Sequence, residues 1–123
     1  MGNIWSDQAK YQTWLDVEIA ACEANCKLGK IPQSAMETIR TKARFKPERI
    51  LEIEEEVRHD VIAFLTNVNE YVGDAGRYIH VGMTSSDVLD TGLALQLKAS
   101  VKLLRKELLI LEEAIRDLSL IHI

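Results

Sequence analysis

The feature that most restricts the fold of this chain is a long apolar seam in its last third. Leucine, isoleucine or valine recurs every three or four residues, the spacing that places side chains on one face of an α-helix. The seam comprises Leu89, Leu93, Leu97, Val101, Leu104, Leu108, Leu111, Ile115 and Leu118. Further apolar residues lie on other faces of the same helix, namely Leu95, Leu103, Leu109 and Ile110. A helix that is apolar on more than one side belongs inside a bundle. We therefore expect neighbours from other subunits or from sequence beyond residue 123.

Three more helices are predicted upstream of the seam. The first begins at Ser6 or Asp7, which are both good N-cap residues. Its expected buried stripe consists of Trp14, Val17, Ala21, Ala24 and Leu28. A short second helix covers residues 34–43, a third runs without a break from 47 to about 72, and the seam helix begins at about Ser86. No segment alternates as a strand does, so the predicted fold class is all-α.

Charge and composition exclude several classes of function. The net charge is −4 and the pI is about 5.4, which argues against a nucleic-acid partner. No apolar run is long enough for a membrane span, and the first residues do not form a secretory signal, so we expect a cytoplasmic protein. Cys22 and Cys26 lack the further ligands that a metal site needs, so we expect reduced thiols, no metal and no cofactor.

Residues 77–90 separate two long helical patterns and carry many polar groups. Thr84-Ser85-Ser86-Asp87 is a Ser/Thr residue followed three positions later by an acid, the pattern of a capping box. A helix N-terminus favours anions, because its unpaired N–H groups and dipole are positive. His80 lies just before Gly82, which permits a close approach of the backbone to a ligand. The stretch therefore fits an ordinary capped helix or an anion site.

A second polar cluster, Arg58-His59-Asp60, interrupts the apolar stripe of the predicted third helix. Consecutive residues of a regular helix point about 100° apart, so the three side chains would not all face one ligand. They fit a surface ion pair beside a half-buried histidine, or they bind a ligand. Spacing alone supports neither a nucleophilic triad nor a metal site at His59 or His80.

Several motifs together resemble a known family. They are Trp5-Ser-Asp, Trp14-Leu-Asp-Val-Glu, Ala20-Ala-Cys-Glu-Ala, Arg49-Ile-Leu-Glu-Ile-Glu, Arg58-His-Asp-Val-Ile-Ala-Phe and His80-Val-Gly-Met-Thr-Ser-Ser-Asp-Val-Leu-Asp-Thr. In this order and spacing, from Ile4 to about Asp117, they resemble the N-terminal part of the adenylosuccinate lyase family, within the fumarase/aspartase superfamily. The resemblance implies an all-helical homotetramer whose active sites are each built from three subunits. It also implies an N-terminal helical lyase domain over residues 1–85 and the first helix of a central bundle over 86–117.

The resemblance implies a function in purine nucleotide biosynthesis. Members of this family eliminate fumarate from adenylosuccinate, which gives AMP, and from the succinocarboxamide intermediate, which gives AICAR. The positions that match the family's substrate contacts are Arg58, His59, Asp60, His80, Thr84 and Ser85. The first three would contact the nucleotide-dicarboxylate substrate, and His59 would also assist proton transfer. Thr84 and Ser85 would hold a succinyl carboxylate, and His80 would lie near the phosphate.

The chain also departs from the family's pattern. The general-acid histidine and the base serine of the family have no counterpart here, so we expect an incomplete, inactive N-terminal fragment. Residues 118–123 leave the pattern abruptly and match a translated sequencing adaptor, so we expect a non-native tail, and His122 is excluded as a ligand. Two alternatives remain open. One is a fragment of another superfamily lyase, of cycloisomerase or argininosuccinate type, and the other is a non-enzymatic helical interaction domain.

Overall fold

The computed structural model describes residues 1–121, and within that range the chain is helical with no strand. The helices are α1 (Asp7–Lys27), α2 (Gln33–Lys42), α3 (Pro47–Val57), α4 (Asp60–Val72) and α5 (Ser85–Ile121). Two short 3-10 segments, Gly2–Ile4 and Gly73–Tyr78, precede α1 and follow α4. The predicted all-α class is confirmed. His122, which was not expected to be a ligand, lies outside the described residues, as does the end of the proposed tail.

Helix α1 begins where the sequence predicts, but it buries a different face. The hydroxyl of Ser6 accepts a hydrogen bond from the Ala9 N–H at 3.2 Å, which is an N-cap. The buried side chains of α1 are Tyr11, Trp14, Leu15, Glu18 and Cys22. The predicted stripe through Ala24 and Leu28 is wrong, since Leu28 is 70% exposed. The true stripe contains an acid, which an apolar pattern does not select.

An aromatic cluster fixes α1 against α4. The rings of Tyr11 and Phe64 stack at a centroid distance of 6.0 Å, and Trp14 meets Phe64 edge-on at 5.6 Å. Phe45, in the connection between α2 and α3, packs against both Tyr11 and Phe64. Such pairs contribute about 0.5–1.5 kcal/mol each beyond the area they bury. The core of the described chain is therefore centred on Phe64, which is fully buried.

The predicted third helix is two helices, α3 and α4, broken at the Arg58-His59 dipeptide. Arg58 ends α3 in the left-handed conformation (φ 56°), and His59 is extended (φ −152°) and serves as the N-cap of α4. The prediction of one uninterrupted helix from 47 to 72 is therefore wrong. The apolar periodicity continues across the junction because α3 and α4 pack on the same core through Ile50, Ile53, Val61 and Phe64.

Helix α5 packs on α1 and leaves the apolar seam uncovered from Leu93 onward, whereas Leu89 packs partly against the core. Its buried residues are Val88, Gly92, Gln96 and Ser100, spaced four apart. The Gln96 amide donates to the Ile4 carbonyl at 2.7 Å. The seam faces away: Leu104 is 52% and Leu108 64% exposed. The described residues thus contain no cover for the seam, as the sequence analysis expects. Across residues 1–121, no helix is long and apolar enough to cross a bilayer.

Candidate functional site

The junction between α3 and α4 presents Arg58, His59 and Asp60 on three different backbone conformations. His59 Nδ1 accepts a long hydrogen bond from the Ile62 N–H at 3.4 Å and lies 3.5 Å from Asp60 Oδ1. Asp60 Oδ1 also accepts from the Val61 N–H at 2.7 Å. Every polar contact of this cluster among residues 1–121 is thus with its own neighbours in sequence. Its three side chains are exposed or half-exposed at the start of α4.

The break in the helix removes the geometric objection to a shared ligand. Successive residues project about 100° apart only in a regular helix. Here Arg58 is left-handed, His59 is extended and Asp60 is the first residue of α4. An arginine in the left-handed region is uncommon, and such strain, of order 1–3 kcal/mol, is concentrated at functional sites. In the described part of the chain only one other non-glycine residue, His80, has a positive φ.

His80 is held by a buried carboxylate on α1. Glu18 Oε2 accepts the backbone N–H of His80 at 3.0 Å, and Glu18 Oε1 lies 2.6 Å from His80 Nδ1. The Glu18 side chain is 1% exposed and the His80 side chain 22%. Burial raises the pKa of the Glu18 carboxyl, and the hydrogen bonds from His80 oppose that shift. The two residues form a partly buried acid–imidazole pair.

Cys22, one turn further along α1, supports the same segment. Its thiol lies 3.6 Å from the Tyr78 carbonyl oxygen, and Ile79 beside it is buried. Burial raises the pKa of the Cys22 thiol to about 11, with nearby Glu18 adding to the shift. The thiol is therefore protonated at neutral pH and acts in packing, in agreement with the predicted reduced cysteine. Cys26 is a free, half-buried thiol.

The N-terminus of α5 is capped from one side. The Asp87 carboxylate accepts the Thr84 N–H at 2.7 Å, which is the acidic half of the predicted capping box. The Thr84 hydroxyl does not return the bond to a backbone N–H within residues 1–121, and Thr84 is exposed. Ser85 is the first residue of α5 and half-buried. Hydroxyl and N–H donors are thus available at the positive end of a 37-residue helix.

The structure brings some of the predicted site residues together and leaves others apart. His80 and Thr84 lie in one loop, in which the Met83 N–H donates to the His80 carbonyl, and Ser85 follows as the first residue of α5. No hydrogen bond or ion pair between described residues joins this loop to the Arg58–Asp60 junction. Sequence reasoning missed Glu18, which lies four residues after Trp14 and four before Cys22. An acid at that spacing, between two residues of the buried face, was the available signal.

A sequence profile of the lyase family matches residues 1–123 of this chain. The match extends over the helices and over both polar clusters, so the agreement is not limited to one motif. The chain belongs to this lyase family.

Two curated relatives within the family are adenylosuccinate lyases. The chain is 70% identical over 116 residues to the adenylosuccinate lyase of Synechocystis sp., covering 94% of this chain and 27% of the relative. It is 45% identical to the adenylosuccinate lyase of Aquifex aeolicus, covering 99% of this chain and 29% of that enzyme. The chain thus spans less than a third of the length of these curated relatives.

Solved structures show the same helical arrangement. The 3-carboxy-cis,cis-muconate lactonizing enzyme of Pseudomonas putida matches with a TM-score of 0.78 and 31% identity, over 86% of this chain and 26% of that one. A fumarate lyase from Mesorhizobium sp. matches with a TM-score of 0.74 and 28% identity, over 85% of this chain and 25% of that one. The helices described above therefore have the arrangement found in lyases of this superfamily.

Proposed function

We propose that this chain supplies part of the active site of an adenylosuccinate lyase, which acts in purine nucleotide biosynthesis. The observation that carries the proposal is the 70% identity to the Synechocystis adenylosuccinate lyase over 94% of the chain. The reactions are the release of fumarate from adenylosuccinate, which leaves AMP, and from the succinocarboxamide intermediate, which leaves AICAR. Both substrates carry a nucleotide phosphate at one end and a dicarboxylate at the other. The site must therefore bind anionic groups at both ends.

Within this proposal, the loop before α5 binds anionic groups. Thr84 and Ser85 take a succinyl carboxylate through hydroxyl and N–H donors at the start of α5, where the helix dipole favours negative charge. His80 lies near the phosphate. The free Thr84 hydroxyl and the constrained His80 backbone support these roles.

The junction between α3 and α4 contributes the other contacts. Arg58, His59 and Asp60 bind the nucleotide-dicarboxylate substrate, and His59 assists proton transfer. Support comes from the left-handed Arg58, because backbone strain of this kind is concentrated at functional sites and the side chain is exposed. The polar contacts of the cluster are all local, so its side chains are available to a ligand.

The chemistry is a β-elimination. A base removes the Cβ proton of the succinyl group, and the electron pair is held transiently on the adjacent carboxylate as an aci-carboxylate. The Cα–N bond then breaks to give fumarate, and an acid protonates the departing nitrogen. Donors placed against the carboxylate stabilise the charge that develops there. The residues of this chain bind anions, and His59 has an auxiliary role in proton transfer. Neither polar cluster supplies the principal acid or the principal base.

We further propose a homotetramer located in the cytoplasm. The support for assembly is the exposed seam of α5, where apolar side chains are more than half exposed along several turns. Contiguous apolar surface of this kind marks an interaction face. In a tetramer this seam would lie in a central helical bundle and bring the two polar clusters close to those of neighbouring subunits.

A chimera tests the function directly. In the Synechocystis adenylosuccinate lyase, the matching part of this chain replaces its counterpart over the 116 aligned residues, and fumarate release from adenylosuccinate is followed by ultraviolet absorbance. We expect the chimera to release fumarate, and the Arg58→Ala and Thr84→Ala variants to lose that activity. The 123-residue chain alone is expected to be inactive. A folded, tetrameric chimera without activity would contradict the proposal.

The solved structures favour one competing function. The similarity to the muconate lactonizing enzyme makes a cycloisomerase reaction the alternative within the superfamily. Its 31% identity is far below the 70% of the first relative, so we place it second. Incubation of the chimera with 3-carboxy-cis,cis-muconate distinguishes the two, since lactone formation without fumarate release would favour the alternative. A non-enzymatic interaction domain would show neither reaction.

A further inference from the structure

Both oxygens of the buried Glu18 carboxylate have their hydrogen-bond partner in His80. One oxygen accepts the backbone N–H of His80, and the other lies 2.6 Å from the imidazole Nδ1. The residues are 62 positions apart in sequence, and the Glu18 side chain is 1% exposed. Burial of a carboxylate is unfavourable unless its hydrogen bonds are satisfied. Among the described residues, His80 is the partner that satisfies both oxygens.

This arrangement does more than attach a loop. A backbone bond alone would fix the chain path, but the second bond fixes the orientation of the ring. The left-handed φ of His80 (66°) turns its backbone N–H and its ring toward the same carboxylate. With Nδ1 engaged, Nε2 is the remaining polar ring atom, and within residues 1–121 it has no hydrogen-bond partner. The ring is partly exposed, at 22%.

We propose that Glu18 is a positioning residue that holds His80 with its Nε2 directed at an anionic group of the substrate. The inference rests on the proposed function and extends it to a residue outside both polar clusters. An ionised carboxylate only accepts, so the ring proton nearest Glu18 is on Nδ1. The carboxylate accepts this proton from the neutral ring and from the doubly protonated ring alike. Glu18 therefore permits the doubly protonated ring, whose Nε2–H donates a charge-assisted hydrogen bond to a phosphate oxygen.

Glu18→Gln provides the test because it keeps the shape of the side chain and replaces one acceptor oxygen with a donor NH2 group. The amide oxygen accepts the His80 N–H, so the amide nitrogen faces Nδ1 and donates to it. Nδ1 must then be an acceptor, which confines the ring to the neutral form. On the 123-residue chain, ¹⁵N NMR should find the proton on Nδ1 in the wild type and on Nε2 in E18Q. In the chimera, KM for adenylosuccinate should rise about tenfold. This factor corresponds to the difference in free energy between a hydrogen bond from a charged group and one from a neutral group.

The control is Cys22→Ala, which loosens the same segment without touching the imidazole. We expect it to leave KM unchanged, and kcat should change less than KM in E18Q. In an E18Q chimera that also carries His80→Gln, the two effects should not add, because both remove one contact. If E18Q does not fold, Glu18→Asp keeps an acceptor and should show a smaller rise in KM with the proton still on Nδ1.

Three results would overturn the inference. They are an unchanged KM in E18Q, an equal rise in KM in Cys22→Ala, and a proton that stays on Nδ1 in E18Q. Each can occur in a chimera that releases fumarate normally, so the proposed function would stand. An unmodified chimera that folds but releases no fumarate would instead overturn the proposed function. The NMR measurement on the chain alone still decides the hydrogen bonding of His80 in that case.

Discussion

The two positive-φ residues of the described chain, Arg58 and His80, are held in opposite ways. His80 is fixed by Glu18, a residue on another helix and 62 positions away in sequence. Arg58 has a backbone bond to Glu54, four residues back, and its guanidinium is exposed. The segment around His80 is therefore ordered by tertiary contacts, whereas the Arg58 junction is ordered by the ends of two adjacent helices.

The two segments therefore differ in how far their side chains are fixed. A long-range clamp sets side-chain orientation before a ligand arrives, as preorganisation requires. The Arg58 junction supplies a cation, an imidazole and a carboxylate whose side chains remain free to adjust. We infer that the His80 loop is formed by this chain alone, while the junction acquires its final side-chain arrangement on binding.

Replacement of His80 should have the largest effect on stability. His80→Ala leaves the Glu18 carboxylate buried without its ring partner, and we expect a loss of about 3 kcal/mol in the free energy of unfolding. His59→Ala removes only a long N-cap bond and should lose about 0.5–1 kcal/mol. Guanidinium denaturation of the chain at low protein concentration measures both. Equal losses would mean that the two histidines are held alike.

The pH dependence of stability should report on Glu18. Its pKa is raised above the ordinary value of 4.5, so the folded chain retains this proton over a range in which the unfolded chain has lost it. The stability that Glu18 contributes is then complete below pH 4.5 and declines as the pH rises through the higher folded value. Glu18→Gln should lack this decline. Denaturation midpoints across the acidic range check it, and parallel curves for the two chains would contradict it.

Arg58→Gly should stabilise the chain slightly. Glycine accepts a positive φ without steric strain, and we expect a gain of about 0.5–1 kcal/mol. Arg58→Ala serves as the control, since it removes the guanidinium but keeps the β-carbon and should show no gain. Thermal unfolding measures the difference. A gain in the alanine variant as well would mean that charge, and not backbone strain, limits stability at the junction.

Substitutions in the seam should have the smallest effect on the stability of the folded unit. Leu104→Gln and Leu108→Gln change exposed side chains, so the free energy of unfolding should change by no more than about 0.5 kcal/mol. Self-association should weaken, and sedimentation velocity detects that. A double variant that associates as strongly as the wild type would show that another surface is responsible.

The helices were predictable where local signals agree with the packing. The Ser6 cap, the Asp87 contribution to the Thr84 cap and the exposed seam all follow from neighbouring residues or from periodicity. The break at Arg58 did not, because no proline or glycine marks it and the apolar spacing continues through it. The break is accompanied by a tertiary contact: the Lys46 N–H, at the start of α3, donates to Asn67 Oδ1 of α4 at 2.8 Å, which ties the two helices side by side.

The residues of the candidate site were predictable only where local sequence signals mark them. The polar residues of both clusters stand out in sequence, and motif order associated them with a family. Glu18 did not stand out, since its role depends on a partner 62 residues away. The prediction of the buried face of α1 was wrong because apolar residues occur on two sides of that helix. Packing selected the side that carries the acid.

Gly92 controls how α5 is tilted on α1. A β-carbon there would lie 2.8 Å from Trp14 Cδ1 and 3.0 Å from Thr13 Oγ1, so any side chain pushes the helix away from its support. The helix continues for about 40 Å beyond this point at about 1.5 Å per residue. A tilt of about 5° at the fulcrum therefore displaces the far end by about 4 Å, roughly the width of a side chain. A change at one glycine can thus misalign a surface many turns away without unfolding the chain.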